Sequence, residues 1–255
     1  SGIEITLYGT PVKGEKFEWN TTLTFAKNTN KLISFTNEEF QNGEYKIGWI
    51  NTPVGVYCQR LIEGESLGSF YGPEWAGVDP DTGNDELEGS IAGTVPEDDW
   101  VNLGSAYPDF TLGWSNTLRW GNFGLSATFR AQIGGKVFNN YRAEFENITG
   151  IGLKNIMASW LDDTSFTGPV TYSSKYLEDA SFLKLDNVSL SYNIGFRNAY
   201  LKNIRVYLSA QNVFCLTGYK GVDPEVSLSG LNPGIESTTY YPRTRTFTLG
   251  ATFTF

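Results

Sequence analysis

The sequence predicts an all-β chain, a segment of a transmembrane antiparallel β-barrel with long external loops. Three observations carry this reading. Seven segments alternate with a period of two, one face apolar and the other hydroxylated or charged, as strand geometry requires. No run of about 18 apolar residues exists, which excludes a transmembrane helix, whereas alternation hides a barrel strand from averaged hydrophobicity. Short turns also alternate with very long connections, which is unusual in a compact soluble domain and expected of a barrel with long loops on its outer side.

The first segment, Gly2–Gly9, sets Ile3, Ile5 and Leu7 against Glu4, Thr6 and Tyr8. The second, Lys16–Lys27, sets Phe17, Trp19, Leu23 and Phe25 against Glu18, Asn20, Thr22 and Thr24. The short stretch Pro11–Glu15 joins them as a hairpin. Asp109–Trp120 and Asn122–Ile133 alternate in the same way and meet at Gly121, a second tight turn. In Ser181–Gly195 the phase is clean from Val188 to Ile194, but Leu183 and Leu185 fall on the opposite parity. A bulge near Asp186–Asn187 reconciles them. Asn203–Phe214 follows after a turn at Phe196–Lys202. The last strand, Arg243–Phe255, points Phe247, Leu249, Ala251, Phe253 and Phe255 one way and its threonines the other. An aromatic terminal residue is typical of outer-membrane barrels, where it serves as an assembly signal. The long connections are Asn28–Tyr107, Gly134–Ala180 and Cys215–Pro242. Within the first, Tyr45–Ile50 and Val56–Ile62 form an external hairpin.

Composition narrows the function classes. The formal net charge of −9 offers no basic face for nucleic acid. The absence of His removes the usual Ser-His and Cys-His catalytic sets and most zinc sites. No phosphate-loop pattern is present. Asp162 and Asp163 are adjacent carboxylates without a placeable partner, so a solvated pair is preferred to glycosidase chemistry. Cys58 and Cys215 form a disulfide in an oxidising compartment or remain two free thiols. Barrels of this kind have an even strand number with both ends in the periplasm. Seven strands therefore imply a barrel completed elsewhere, by an N-terminal portion or another chain, because open edges cannot persist in lipid.

Several motifs carry a family resemblance. L-S-A-Q-N-V-F-C-L-T-G-Y-K-G-V-D-P-E-V (Leu208–Val226) and Y-P-R-T-R-T-F-T-L-G-A-T-F-T-F (Tyr241–Phe255) resemble the C-terminal part of SusC/RagA-like TonB-dependent transporters. Y-L-E-D-A-S-F-L-K-L-D-N-V-S-L-S-Y (Tyr176–Tyr192), G-S-A-Y-P-D-F-T-L-G-W-S-N-T (Gly104–Thr117), W-A-G-V-D-P-D-T-G (Trp75–Gly83) and G-I-E-I-T-L (Gly2–Leu7) are similar to that family too. The resemblance implies an outer-membrane barrel of about 22 strands around an N-terminal plug, of which this chain supplies about the last seven. It implies import of oligosaccharides or peptides, a SusD-like surface lipoprotein as a hinged lid, and energy from TonB acting on the plug. The plug and roughly two thirds of that barrel lie outside these residues. It implies no enzymatic chemistry.

Candidate contacts follow from residue type and position. Tyr71, Trp75, Trp160, Tyr240 and Tyr241 fall in the long connections, where aromatic faces stack on sugars or peptide side chains, touch the lid, or pack the loops together. Arg119, Arg130 and Arg205 lie on the polar face of their strands, facing the lumen, where they line the substrate path or pair with the plug or neighbouring strands. Trp19, Trp114 and Trp120 are lipid-facing or interfacial anchors. Asp79, Asp81, Asn84, Asp85 and Glu86 form a weak calcium candidate, since the spacing departs from the EF-hand pattern; a solvated loop is preferred and no other cofactor is expected. Asp223, Pro224 and Glu225, after Gly218 and Gly221, read as a turn or as a shaped loop near the lid. Two rival readings remain: a structural or adhesive barrel acting through its loops, and a secreted glycan-binding β-sandwich. An outer-membrane hydrolase is weakened by the missing His.

Overall fold

The computed structural model describes residues 1–51, 54–196, 200–226 and 230–255. Its main element is a seven-stranded antiparallel meander: β1 (Gly2–Lys13), β2 (Phe17–Asn28), β9 (Phe110–Trp120), β10 (Phe123–Ile133), β13 (Phe182–Gly195), β14 (Asn203–Thr217) and β15 (Thr246–Thr254), neighbours in that order. Spanning strands need about 9–11 residues, and all seven meet that length. The seven expected strands are all present. β1 runs past the expected turn to Lys13, with a register shift between Gly9 and Val12 that takes Pro11 out of the ladder. Proline has no N–H to donate, so a bulge is where a strand tolerates it. β14 runs on to Thr217, and β15 begins only at Thr246. Of the Phe196–Lys202 turn, residues 197–199 lie outside the described residues; Phe196 N–H donates to Lys202 O at 2.9 Å.

Register makes one face continuous. Leu7 pairs with Leu23, Leu23 with Trp114, Trp114 with Phe129, Phe129 with Leu185 and Leu185 with Phe214. Nearer the short turns, Phe17, Trp120, Phe123 and Tyr192 form a second row. The second row is aromatic, as at the interface of a membrane barrel, and the first mixes Trp114, Phe129 and Phe214 with three leucines. The face is open: Leu249 and Phe253 are exposed, and among the described residues no second sheet covers it. A β-sandwich would have buried it, so the soluble reading is set aside. The bulge is where the sequence places it. Asp186 is skipped in both ladders, which returns Leu183 and Leu185 to the apolar face.

One polar group interrupts this face. Asn116 stands between Trp114 and Leu118 on β9 and pairs with Thr21 of β2. It is buried and takes part in a chain of hydrogen bonds with two indoles. Trp19 Nε1 donates to Asn116 Oδ1 at 3.0 Å, Thr21 Oγ1 donates to the same oxygen at 3.0 Å, and Trp114 Nε1 donates to Thr21 Oγ1 at 3.0 Å. Both anchors thus keep their N–H groups satisfied where no water is available.

The long connections are not loose. The expected hairpin, β3 (Glu44–Ile50) with β4 (Val56–Ile62), continues through β5 (Ser69–Gly72) to β8 (Val101–Ser105) as a four-stranded sheet. Two small ribbons join it, β6 (Trp75–Val78) with β7 (Asp85–Leu87), and β11 (Lys136–Phe138) with β12 (Leu177–Asp179). Helix α1 spans Asn140–Phe145. Ile50, Cys58, Phe70, Phe138, Tyr172 and Tyr176 form one apolar core drawn from the first two connections. The third reaches it too: Phe138 N–H donates to Gly234 O at 2.8 Å, and Gln59 Nε2 donates to Pro233 O at 2.6 Å. Both cysteines are free, Cys58 buried in this core and Cys215 on β14, so no bridge joins them.

Replacing Asn116 with Leu tests the polar island. It leaves the Trp19 indole without its acceptor and the Thr21 hydroxyl with only Ser115 O at 3.4 Å, and an unsatisfied buried group costs about 1–3 kcal/mol. The expected outcome is a lower urea midpoint for the refolded transporter, with Asn116→Gln, which keeps an amide acceptor, milder than Asn116→Leu.

Candidate functional site

The three long connections converge on one cavity of about 780 Å³, whose walls include Trp75, Arg142, Trp160, Lys175 and Lys220. Trp75 begins β6, and its backbone N–H donates to Ser174 Oγ at 2.9 Å. Its indole N–H donates to Asp85 Oδ1 at 2.9 Å, and that oxygen also accepts from Lys175 Nζ at 2.7 Å. Lys175 lies 3.4 Å from the centre of the Phe166 ring and 5.5 Å from that of Trp75. Burial pushes the Lys175 ammonium below its ordinary range, against the pull of Asp85. Trp160 sits in a 3-10 turn, Ala158–Asp162, with its indole N–H on Phe166 O at 3.0 Å. Asn139 caps α1 by accepting from Arg142 N at 2.8 Å. Arg142 then pairs with Glu146 one turn on and with Glu178 at 2.6 Å.

Of the five aromatic candidates, the structure brings Trp75 and Trp160 together. Tyr71 is buried in the loop sheet, its ring 5.1 Å from the Arg60 guanidinium and its hydroxyl on Glu65. Burial first and Glu65 second push its phenol up to about 12. Tyr240 and Tyr241 precede β15 and are not among the residues lining the cavity; Tyr241 is exposed. The calcium candidate is not assembled. Asp79 accepts from Asp81 N–H and Thr82 Oγ1 in its own turn, and Asp85 is committed to Trp75 and Lys175. Among the described residues no three such ligands converge. Asp163 accepts from Ser165 N–H and hydroxyl, and both it and Asp162 line the cavity.

A second feature lies on the polar face of the sheet. Arg130 on β10 stands directly opposite Lys184 on β13. Like charges in that position repel, and three carboxylates relieve them. Arg130 pairs with the bulged Asp186 and, at 2.8 Å, with Glu225. Lys184 is buried and pairs with Asp223 at 2.8 Å and Glu225 at 3.0 Å. Arg243 closes the cluster on Glu225 at 2.8 Å and Asp223 at 3.5 Å. The Asp223–Glu225 turn is therefore a strap fastened to the wall. Burial raises the Glu225 carboxyl, but hydrogen bonds from Arg130 and Lys184 outweigh it and hold the group at about 2. Arg119 pairs with Glu18 across one strand at 3.0 Å, and Arg205 donates to Ser191 Oγ at 3.3 Å. All three arginines thus meet neighbouring strands or the strap. Sequence reading missed Lys184 and Arg243, which sit in alternating strands or beside them with nothing local to mark a partner that lies 39 residues away for Lys184 and 20 for Arg243.

No family model matches the chain. Across all of its length it is 30% identical to TonB-dependent receptor P3 of Formosa agariphila, covering 28% of that protein. It is 27% identical over its full length to TonB-dependent receptor SusC of Bacteroides thetaiotaomicron, covering 26%. Its fold superposes on a chain of the RagAB peptide transporter with a TM-score of 0.80 at 25% identity, over 98% of this chain and 28% of that one. Along its whole length the chain is similar to SusC/RagA-like TonB-dependent receptors. It spans little more than a quarter of the length of the curated relatives it matches. The seven-stranded sheet is barrel wall and the three long connections form a folded cap at one end of it.

The strap gives a pH expectation with a definite sign. The Glu225 pKa is depressed from an unfolded value of about 4.3, so its contribution is present above that pH and is lost as pH falls towards about 2. Amide exchange across residues 218–226 should stay slow from pH 7 down to about 4 and quicken only in stronger acid. Glu225→Gln should quicken it at neutral pH.

Proposed function

We propose that this chain forms the last seven strands of a plugged outer-membrane barrel of about 22 strands. The barrel would import oligosaccharides or oligopeptides with energy from TonB. The observation that carries the reading is the pair of open edges. β1 and β15 each pair on one side only among the described residues, and lipid tolerates no unpaired strand edge. The rest of the same transporter, including its plug, supplies the partner strands and the TonB contact. A SusD-like lipoprotein covers the outer end as a lid. The relatives' names, TonB-dependent receptor and peptide transporter, support this assignment.

Within that assembly Arg119, Arg130 and Arg205 face the lumen. Trp75 and Trp160 are substrate contacts on the outer side, and the exposed Tyr241 with Tyr240 lies where lid or substrate passes. Tyr71 supports the loop sheet from within. No step makes or breaks a covalent bond in the cargo. Capture in the cap, lid closure and withdrawal of the plug give directed transport, with the wall as a static frame.

Uptake measured in cells tests this. Deleting TonB should abolish uptake of the cargo by the intact transporter while leaving surface binding in place, and mild-detergent purification should bring down the plug-bearing portion with a SusD-like lipoprotein. TonB-independent uptake, or a barrel closed without further strands, sinks the proposal.

A further inference from the structure

We infer that Glu236 is a proton-held latch between the strap and the cap: it is buried as the neutral acid, and loss of its proton frees the strap.

The geometry is that of a clasp. Two backbone N–H groups of the strap land on two carboxyls of the cap. Lys220 N–H donates to Glu178 Oε2 at 2.8 Å, and Val222 N–H donates to Glu236 Oε1 at 2.9 Å. Glu236 is fixed from the cap side. Its own N–H donates to Phe138 O at 3.1 Å, beside the bond from Phe138 N–H to Gly234 O, so the third connection adds to the edge of β11. The strap doubles back over this edge, and Tyr219 closes it. The Tyr219 ring lies against Gly221, where a Cβ would meet it at 2.4 Å, and joins a small core with Val137, Ala180 and Val226.

The two carboxyls differ in their surroundings. Glu178 pairs with Arg142 at 2.6 Å and also accepts from Asn139 Nδ2 at 3.2 Å. Glu236 is 1% exposed, and among the described residues it forms no ion pair. It is met by Val222 N–H of the strap, the Tyr219 hydroxyl and Tyr141 N–H of α1, and the charge that acts on it is that of Glu178 on β12. Glu236 Oε2 and the Tyr219 hydroxyl are buried with no partner but each other. A carboxylate there would be a buried ion beside a second carboxylate and without a counterion, which its hydrogen bonds do not offset. Burial accordingly pushes the Glu236 carboxyl above its ordinary range, against the hydrogen bonds from Val222, Tyr219 and Tyr141. The neutral acid fits the site: Oε1 accepts from Val222, and a proton on Oε2 has the Tyr219 oxygen to meet. Glutamine would make the same contacts, so what the acid adds is a response to pH.

That response has a definite sign. Once the strap lifts, Glu236 meets water and ionises at about 4.3. Closed, it keeps its proton to a higher pH. Between the two values each opening releases one proton, and the opening equilibrium rises about tenfold per pH unit. The latch is tight in mild acid and loosens as pH climbs, opposite in sign to Glu225, whose grip on the wall fails only in stronger acid.

The test is amide hydrogen exchange of residues 218–226 in the whole detergent-purified transporter, from about pH 4.5 to about pH 9, each rate divided by the intrinsic rate at that pH. Wild-type protection should fall more than tenfold over the range. Glu236→Gln should match wild type at the acid end and keep that protection throughout. Tyr219→Phe removes a hydrogen bond that favours the carboxylate, so its fall should extend to higher pH. Infrared spectra with isotope-labelled glutamate should show, at about pH 6, a carboxylic-acid C=O band that Glu236→Gln removes. Heat-modifiable gel mobility verifies that each variant is folded. Wild-type protection that changes less than threefold overturns the inference, as does a fall of equal size in Glu236→Gln, which assigns it to another group. A folded Glu236→Gln that exchanges fast at every pH, or a missing acid band, overturns it too. Should Glu236→Gln not fold, Tyr219→Phe decides: an extended fall sustains the latch, and a fall that vanishes assigns the titration to the phenol and overturns it.

Discussion

Hydrocarbon offers no hydrogen bonds, and everything in this molecule answers to that constraint. Each backbone group of a spanning strand must be paired by a neighbouring strand, so the strands form one uninterrupted meander from β1 to β15. Each strand must also show lipid an apolar side, so parity has to be kept through every ladder. Parity would fail at Leu183 and Leu185, and the skipped Asp186 restores it. Asn116 is tolerated because its amide oxygen accepts from the Trp19 indole and from the Thr21 hydroxyl, which in turn accepts from the Trp114 indole.

The bulge does more than mend parity. The extra residue it brings to the polar face is a carboxylate, and it meets Arg130. Asp223 and Glu225 complete the neutralisation of two cations that strand pairing sets against each other. About ten residues further along the same connection, Pro233 and Gly234 accept hydrogen bonds from Gln59 and Phe138 in the cap. One segment is thus fastened at both ends, to the wall by charge and to the cap by backbone hydrogen bonds. A displacement of the cap from the wall has to break either the ion-pair cluster around the buried Lys184–Asp223 pair, costly when one partner is left behind, or the edge of the cap's core.

What the sequence made legible was what repeats. Strand positions, the phase of both faces, the turn at Gly121, the bulge and the first hairpin of the cap all follow from a period of two or from turn chemistry. Strand ends were less legible: Lys13 lies beyond Pro11, and a proline inside a ladder reads as a turn until the bulge is seen. The three-residue strands β7, β11 and β12 are too short to display a period at all. The aromatic candidates were legible as types but not as a group. Nothing near Tyr71 signals that it turns into the loop sheet, while Trp75, four residues later, lines the cavity. The acidic run around Asp79 looked like a ligand set because composition alone does not show that Asp85 answers to Lys175, 90 residues away.

That distance is the physical content of the cavity. Trp75 takes its orientation from Asp85, and Asp85 is acceptable in a buried position because Lys175 neutralises it. Lys175 in turn packs on Phe166, whose carbonyl orients Trp160. The two indoles that line the cavity are therefore linked through a short chain of contacts that joins the first long connection to the second. Neither ring is positioned by its own loop alone. Whatever docks between them meets a wall whose geometry was settled by the packing of the cap, and binding there draws on that order without having to create it.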